Sequence, residues 1–265
     1  MKHRMDRAVT YFFEGAGEEY AKYRPAYPQA LARFITDNCL NHDHALDIGC
    51  GTGQLSKLLS PNFGNVTAID INQSQLDNAE HFKNVRYISA PASKLPVSSS
   101  SVDFIGCAQA AHWFDMNVFY QECLRVGRQG CLLSLITYGV PQLTDNVGEI
   151  LSDFYWNKIH SYWPPERAHV ENGYAGFDFP FSVVAAPQIT IQHRYSFAEL
   201  MGYIGTWSAV RLMSEAGQSS ILRDFEITLR AAWEEPDRRR EIIWPLTART
   251  GRLHSSITHD FKRTL

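Results

Sequence analysis

Apolar positions over the first 140 residues fall into short bursts that alternate between two periods. Ala30, Leu31, Phe34 and Ile35 recur at helical spacing behind Pro28, a residue suited to the first turn of a helix. Ala45 and Leu46 begin a brief apolar strand, and helical spacing returns in Gln54-Leu55-Ser56-Lys57-Leu58-Leu59. Val66-Thr67-Ala68-Ile69-Asp70 is an apolar run closed by a carboxylate, and a helix is predicted over 73–81. Residues 84–89 alternate like a third strand, and 102–108 form a mostly apolar run suited to a buried parallel strand. A helix over 116–125 and a strand over 130–138 complete the series. Strand and helix in alternation predict an α/β fold, a parallel sheet with helices on both faces.

Past Tyr138 the alternation lapses. An amphipathic helix is predicted over 145–160, broken by Trp163-Pro164-Pro165. Residues 172–182, rich in Gly, Pro and aromatics, are expected as loop. A strand follows over 188–195, helices over 196–204 and 218–234, and a last strand over 240–252, where Pro245 sits awkwardly for a sheet interior. With no repeat and no long linker, one domain is expected: an arm and cap helix over 1–40, a ligand-binding core over 41–140, and a pocket-forming insertion with the last strands over 141–265.

Composition narrows the class. The chain has 265 residues, 45% of them hydrophobic, and a net charge of −3, a balance that asks for neither nucleic acid nor an anionic membrane. No apolar run approaches the ~20 residues of a membrane span. The basic start, Met1 to Arg7, is followed by charged and aromatic residues and not by an apolar signal core. The five cysteines (Cys39, Cys50, Cys107, Cys123, Cys131) are odd in number and lack CxxC spacing, so a reduced, cytoplasmic protein with no zinc or disulfide frame is expected. His42-x-His44 is too sparse for a metal site, and no metal is expected.

The candidate chemistry begins at Asp47-Ile48-Gly49-Cys50-Gly51-Thr52-Gly53. Placed between a strand and a helix, such a loop brings backbone close to a nucleotide-like ligand and aims helix N–H groups at it. The dinucleotide fingerprint requires a third glycine three residues after the second, and Gln54 stands there, which disfavours a nicotinamide cofactor. Asp70 lies about 20 residues beyond Gly49, where an acid at the end of the second strand reaches a ribose. Its alternative role is to cap the helix over 73–81, which Ser74 would do equally well.

The string DIGCGTG resembles the first motif of class I S-adenosylmethionine-dependent methyltransferases. Ala92-Ser93-Lys94-Leu95-Pro96 with Val102-Asp103, Gln109-Ala110-Ala111-His112-Trp113-Phe114-Asp115 and Tyr23-Arg24-Pro25-Ala26-Tyr27-Pro28 are similar to segments of the small-molecule enzymes grouped with the ubiquinone and trans-aconitate methyltransferases. Ser93 replaces that group's usual Glu, and Gly127-Arg128-Gln129-Gly130 replaces its LRPGG turn. The resemblance implies a Rossmann-like, seven-stranded, mostly parallel sheet with the last strand antiparallel and an aromatic, helical insertion after the fifth strand. It also implies S-adenosylmethionine as cofactor, held by Tyr20 and Arg24 of the arm, Asp47, Gly49, Cys50, Gly51 and Gly53 of the loop, Asp70 and Ile71, Ala92 and Ser93, and Gln109 and Trp113.

The expected reaction is methyl transfer to a small-molecule acceptor, such as a carboxylate or hydroxyl, by in-line displacement. The alternative is a non-catalytic protein that binds the cofactor or its product S-adenosylhomocysteine. A carboxylate or thiolate acceptor needs no base, whereas a phenol or ammonium does. His112 is the candidate base; otherwise His112 and Trp113 shape the pocket wall. The acceptor pocket is expected from His112, Tyr138, Trp163, Trp207 and Arg211, with Arg167 a further guanidinium for a carboxylate; the alternative for each arginine is a solvated salt bridge. Five of the six tryptophans (Trp156, Trp163, Trp207, Trp233, Trp244) lie past Tyr138, and only part of that set should line a cavity. A monomer or weak homodimer is expected.

Overall fold

The computed structural model describes residues 23–254. Tyr20 lies outside the described residues.

The chain order of elements is α1 (Gln29–Asn38), β1 (His44–Ile48), α2 (Gln54–Leu59), β2 (Asn65–Asp70), α3 (Gln73–Asp77), β3 (Val85–Ser89), β4 (Val102–Ala108), α4 (Met116–Val126) and β5 (Gly127–Tyr138). Next come α5 (Asp145–Asp153), a π-helical turn (Phe154–Lys158), α6 (Arg167–Glu171), β6 (Ser182–Val184), β7 (Ile189–Tyr195), α7 (Phe197–Gly205), α8 (Ser208–Glu215), α9 (Ser220–Trp233) and β8 (Arg240–Arg252).

The sheet runs β3-β2-β1-β4-β5-β8, and both β6 and β7 pair along the far edge of β8. Strands β1 to β5 are mutually parallel, with Ile48 opposite Ile69 and Phe104 opposite Leu132. Strand β8 runs antiparallel to β5, as expected of the last strand. Eight strands therefore occupy seven positions. The extra one, β6, falls at the end of the stretch expected to be loop; its three residues form a strand because β8 offers Thr250, Gly251 and Arg252 as partners. Pro245 fits because it falls just past the end of the β5–β8 ladder: its carbonyl still accepts the Gly139 N–H, and beyond it pairing on that side is a single bridge between Gln142 and Ile243.

The parallel strands are buried on both faces, which explains their continuous apolar character. In β4, Phe104 faces one core with Leu31, Ile35, Leu55 and Leu132, while Ile105 and Cys107 face a second core with Phe119, Tyr120 and Leu133. Burying each such side chain contributes about 1.5–3 kcal/mol. The first core extends into an aromatic shell over β7 and β8, where Trp233 and Trp244 are fully buried. Helix α7 begins with a full capping box, Ser196 to Glu199 and back, at the predicted position. Helix α8 was not anticipated: it follows α7 after two residues and is eight residues long.

One buried acid joins three strands. Asp103 on β4 accepts the backbone N–H groups of Asp43 and His44, both at 3.0 Å, and meets Arg128 Nη1 at 2.7 Å. It thereby anchors the entry to β1 and the start of β5. Replacing Asp103 with alanine leaves those backbone donors without their acceptor and is expected to destabilise the fold by about 2–4 kcal/mol. Urea denaturation measures this, and a loss below about 0.5 kcal/mol would show that water replaces the carboxylate without cost.

Candidate active site

The order β3-β2-β1-β4 reverses direction at β1, and the crevice beyond the carboxyl ends of β1 and β4 is where open α/β sheets bind ligands. A cavity of about 390 Å³ lies there. Its floor is built from the ends of β1, β2 and β4 and the loops that follow them.

Parallel pairing sets the glycine loop. The Gly49 and Cys50 N–H groups both donate to the Ile69 carbonyl on β2, at 2.7 and 3.0 Å. Gly49 adopts φ +70°, and a Cβ there would collide with the Cβ of Ala110, so only glycine fits. Gly53 also has positive φ, but what crowds it is the Tyr87 hydroxyl, 2.5 Å from where a Cβ would stand. Gly53 does not line the cavity; its close approach is to protein.

Asp70 closes the loop. Its Oδ2 accepts the Gly51 N–H at 2.9 Å and its Oδ1 accepts the Asn72 N–H at 2.8 Å. Burial raises its pKa above the usual carboxylate value, and the N–H groups of Asn72, Gly51 and Ile71 oppose that rise. Neither Asp70 nor Ser74 caps α3. Asn72 does, through Oδ1 and the Gln75 N–H, because it stands at the extended residue just before the helix.

Asp47, on β1, is completely buried. Burial pushes its pKa up to about 7 although Oδ2 accepts a 2.6 Å hydrogen bond from Ser56 Oγ. Among the described residues its Oδ1 has no partner, and neither do the buried Nδ2 of Asn72 and Nε2 of Gln75. All three residues line the cavity. Unmatched buried polar atoms cost about 1–3 kcal/mol each, so three around one cavity point to a polar ligand.

Arg24, Asp47, Gly49, Cys50, Gly51, Asp70, Ile71, Ala92, Ser93, Gln109 and Trp113 all line this cavity. Asn72, Gln75 and Phe114 line it too and were not singled out from the sequence; an Asn three residues before a Gln at a helix start was the available signal for the first two.

A second, smaller cavity of about 60 Å³ shares Arg24, Gln109, Trp113 and Tyr138 with the first. His112, Trp163, Arg167, Tyr203, Thr206 and Trp207 complete much of its wall. Gln109 stands between the two with φ +56°, clamped by Thr137 Oγ1 at 3.0 Å and the Tyr138 carbonyl at 3.1 Å. Arg211 lines neither cavity; on α8 it lies 3.9 Å from Glu215, one helical turn away. Trp156, Trp233 and Trp244 are likewise outside both.

Residues 46–135 match the family described as a methyltransferase domain. A Dictyostelium discoideum protein named as a methyltransferase is 32% identical over 235 residues, which span 87% of this chain and 89% of that one. The chain belongs to the class I S-adenosylmethionine-dependent methyltransferases. A solved methyltransferase structure from Anaeromyxobacter dehalogenans matches this methyltransferase with a TM-score of 0.82 and 38% identity, over 88% of this chain and 99% of that chain. A Saccharomyces cerevisiae protein named as an S-adenosylmethionine-dependent methyltransferase is 31% identical over 55% of this chain and 53% of its own length.

Enzymes of this family use S-adenosylmethionine, and the larger cavity of this methyltransferase fits that group. It offers a glycine turn in which Gly49 has no room for a side chain, two carboxyl groups, and, among the described residues, unmatched amide groups. Among the described residues no helix is long and apolar enough to cross a membrane.

The Asp47 carboxyl makes stability depend on pH. With its folded pKa near 7 and its unfolded value at 3.8, the folded state holds the extra proton between those limits. Stability therefore falls as pH rises from 4 to 7, by roughly 2–4 kcal/mol. Urea denaturation of the ligand-free protein against its Asp47→Asn variant should show that difference across the window. A difference that stays flat with pH would place the Asp47 carboxyl in contact with solvent.

Proposed function

We propose that this methyltransferase carries a methyl group to a small-molecule acceptor seated in the second cavity, by in-line displacement. The observation that supports it most is the shared wall: Arg24, Gln109, Trp113 and Tyr138 border both spaces, so a donor in one adjoins an acceptor in the other. The bound donor supplies an electrophilic methyl on a cationic sulfur with a good leaving group. The protein's work is then alignment and exclusion of water. Among the described residues the second cavity is small and half its lining is aromatic, which suits neither a nucleic acid strand nor a peptide chain.

Asp70 is assigned to the ribose hydroxyls. Each of its oxygens already accepts one backbone N–H and keeps a lone pair for a further donor. Asp47 Oδ1, Asn72 Nδ2 and Gln75 Nε2 serve the polar parts of the cofactor, with Ile71, Ala92 and Ser93 along its side. Cys50 and Gly51 contribute backbone, and Arg24 and Trp113 close the far end.

His112 is assigned to the wall and not to proton transfer. Burial, then the nearby Arg167 and His169, push its pKa down to about 3, so the ring is neutral and a weak proton acceptor near pH 7. Its Nδ1 pairs with the Tyr174 hydroxyl at 3.2 Å, which fixes the ring beside Trp113.

Asp70→Ala should weaken S-adenosylhomocysteine binding by about 30–100-fold in calorimetry, equivalent to about 2–3 kcal/mol. Unchanged affinity would remove the ribose assignment. A screen of small acids, phenols and amines for S-adenosylhomocysteine release separates an enzyme from a cofactor-binding protein, and an active acceptor is the expected result. With that acceptor, His112→Asn should retain turnover within about tenfold, since loss of a base would cost about 10²–10⁴-fold. A loss of that size would restore the base.

A further inference from the structure

The second cavity is cationic as well as aromatic. Two guanidinium groups, Arg24 and Arg167, border it, and among the described residues no carboxylate does. Arg24 also borders the larger cavity, where it donates to Tyr138 Oη at 3.3 Å. Arg167 borders the smaller cavity alone.

Arg167 is held on its inner side. Its Nε donates to Tyr155 Oη at 2.9 Å, and Tyr155 donates in turn to Glu171 Oε1 at 2.6 Å. The guanidinium carbon lies 4.5 Å from the centre of the Trp163 ring. Tyr155 belongs to the π-helical turn after α5, a local departure from helical geometry that is common at functional sites. There it is fully buried, with ring centres 5.6 Å from both Trp163 and Trp207. This arrangement occupies Nε, and among the described residues the two terminal nitrogens of Arg167 make no hydrogen bond. Glu171 Oε1 lies 3.9 Å from Nε and offsets part of the charge from behind, so the terminal edge is the part of the guanidinium left to meet an anion from the cavity side.

We propose that the second cavity selects an acceptor bearing a carboxylate, paired with Arg167, and that Tyr155 and Glu171 are positioning residues for that guanidinium. The proposal rests on the methyl-transfer reading and names its acceptor class. A planar guanidinium edge matches a carboxylate in two parallel hydrogen bonds. An ammonium acceptor would meet two like charges at the same wall. A carboxylate also carries no proton, so it needs no base, in keeping with a neutral His112. In the transfer, one carboxylate oxygen forms the bond to the methyl carbon as the S–CH₃ bond breaks. The breaking pair goes to sulfur, and the products are a methyl ester and a neutral thioether, with no proton moved. About 60 Å³ holds roughly four to six water-sized groups, so short acids are the starting probes.

The test is binding of crotonate, crotonamide and n-butylamine to the full-length protein loaded with S-adenosylhomocysteine, read by tryptophan fluorescence and calorimetry. Crotonate is expected to bind at least about tenfold more tightly than either neutral or cationic probe. Arg167→Gln should erase that preference, Arg167→Lys should keep part of it, and Tyr155→Phe should lower it severalfold. All three variants should bind S-adenosylhomocysteine within about threefold of the parent, which also shows that they fold. The crotonate-to-crotonamide ratio is a readout that a merely structural role of Tyr155 would not move. Equal binding of amide or amine, no crotonate binding to the loaded protein, or a preference that survives Arg167→Gln would overturn the proposal. Failure of S-adenosylhomocysteine to bind would instead overturn the methyl-transfer reading beneath it.

Discussion

The arrangement of this molecule depends on the in-register parallel pairing of β1 and β2. That pairing places Ile48 beside Ile69 and so brings the Ile69 carbonyl under two successive N–H groups of the glycine loop. The same register sets Asp70 where its carboxylate closes the loop through Gly51. Two acids, Asp47 and Asp70, thus reach one cavity from neighbouring strands, and burial raises the pKa of both. In an antiparallel pair the two strand ends would lie at opposite edges, and no such concentration of carboxylates could arise. The parallel sheet therefore does more than support the site: it brings both carboxyl groups to it.

The second half of the chain answers a different physical problem. Strand β8 turns the sheet antiparallel and shares its far edge between two strands, which leaves room above β5 and β8 for α7, α8 and the irregular segment after α5. That space is filled by rings. Tyr203 meets Trp207 and Trp244 edge-on at 5.6 and 5.5 Å, and its hydroxyl accepts the Trp244 indole N–H at 3.1 Å. Such packing gives a stiff wall at low conformational cost, because each aromatic ring has only two side-chain torsions to fix. The cavity face of Trp163 and Trp207 is the inner surface of this shell, so pocket shape and fold stability share the same residues.

Much of this was legible in the sequence, for reasons that differ by region. Strand β4 was predicted with its observed ends because it is buried on both faces and bounded by polar turns. Helix α7 announced itself by Ser196 and Glu199, and β8 was readable through Pro245 by its alternation. The loop residues and Asp70 gather at one cavity because a strand–turn–helix is a local object whose geometry follows from a dozen residues. What escaped was set by distant partners. Strand β6 exists only because β8 lies beside it, and the role of Gly53 depends on Tyr87, far along the chain. Arg167 and Arg211 are indistinguishable by residue type. Each lies 3.9 Å from a glutamate one helical turn on, Glu171 and Glu215, and only tertiary packing takes the first to the cavity and not the second.

The two cavities differ in charge, and that difference bears on what the boundary between them can do. Asp47 and Asp70 border the larger space, Arg167 the smaller, and Gln109 stands between with both ends of its amide bound to β5. Arg24 borders both spaces, so a cation stands at the join beside this uncharged amide. The left-handed backbone of Gln109, rare for glutamine, is sustained because Thr137, Tyr138 and the Ile136 carbonyl fix it from one strand. The acids of the first space and the guanidinium of the second thus stand on opposite sides of one shared wall, and charges of opposite sign placed across such a wall interact more strongly than they would in bulk water.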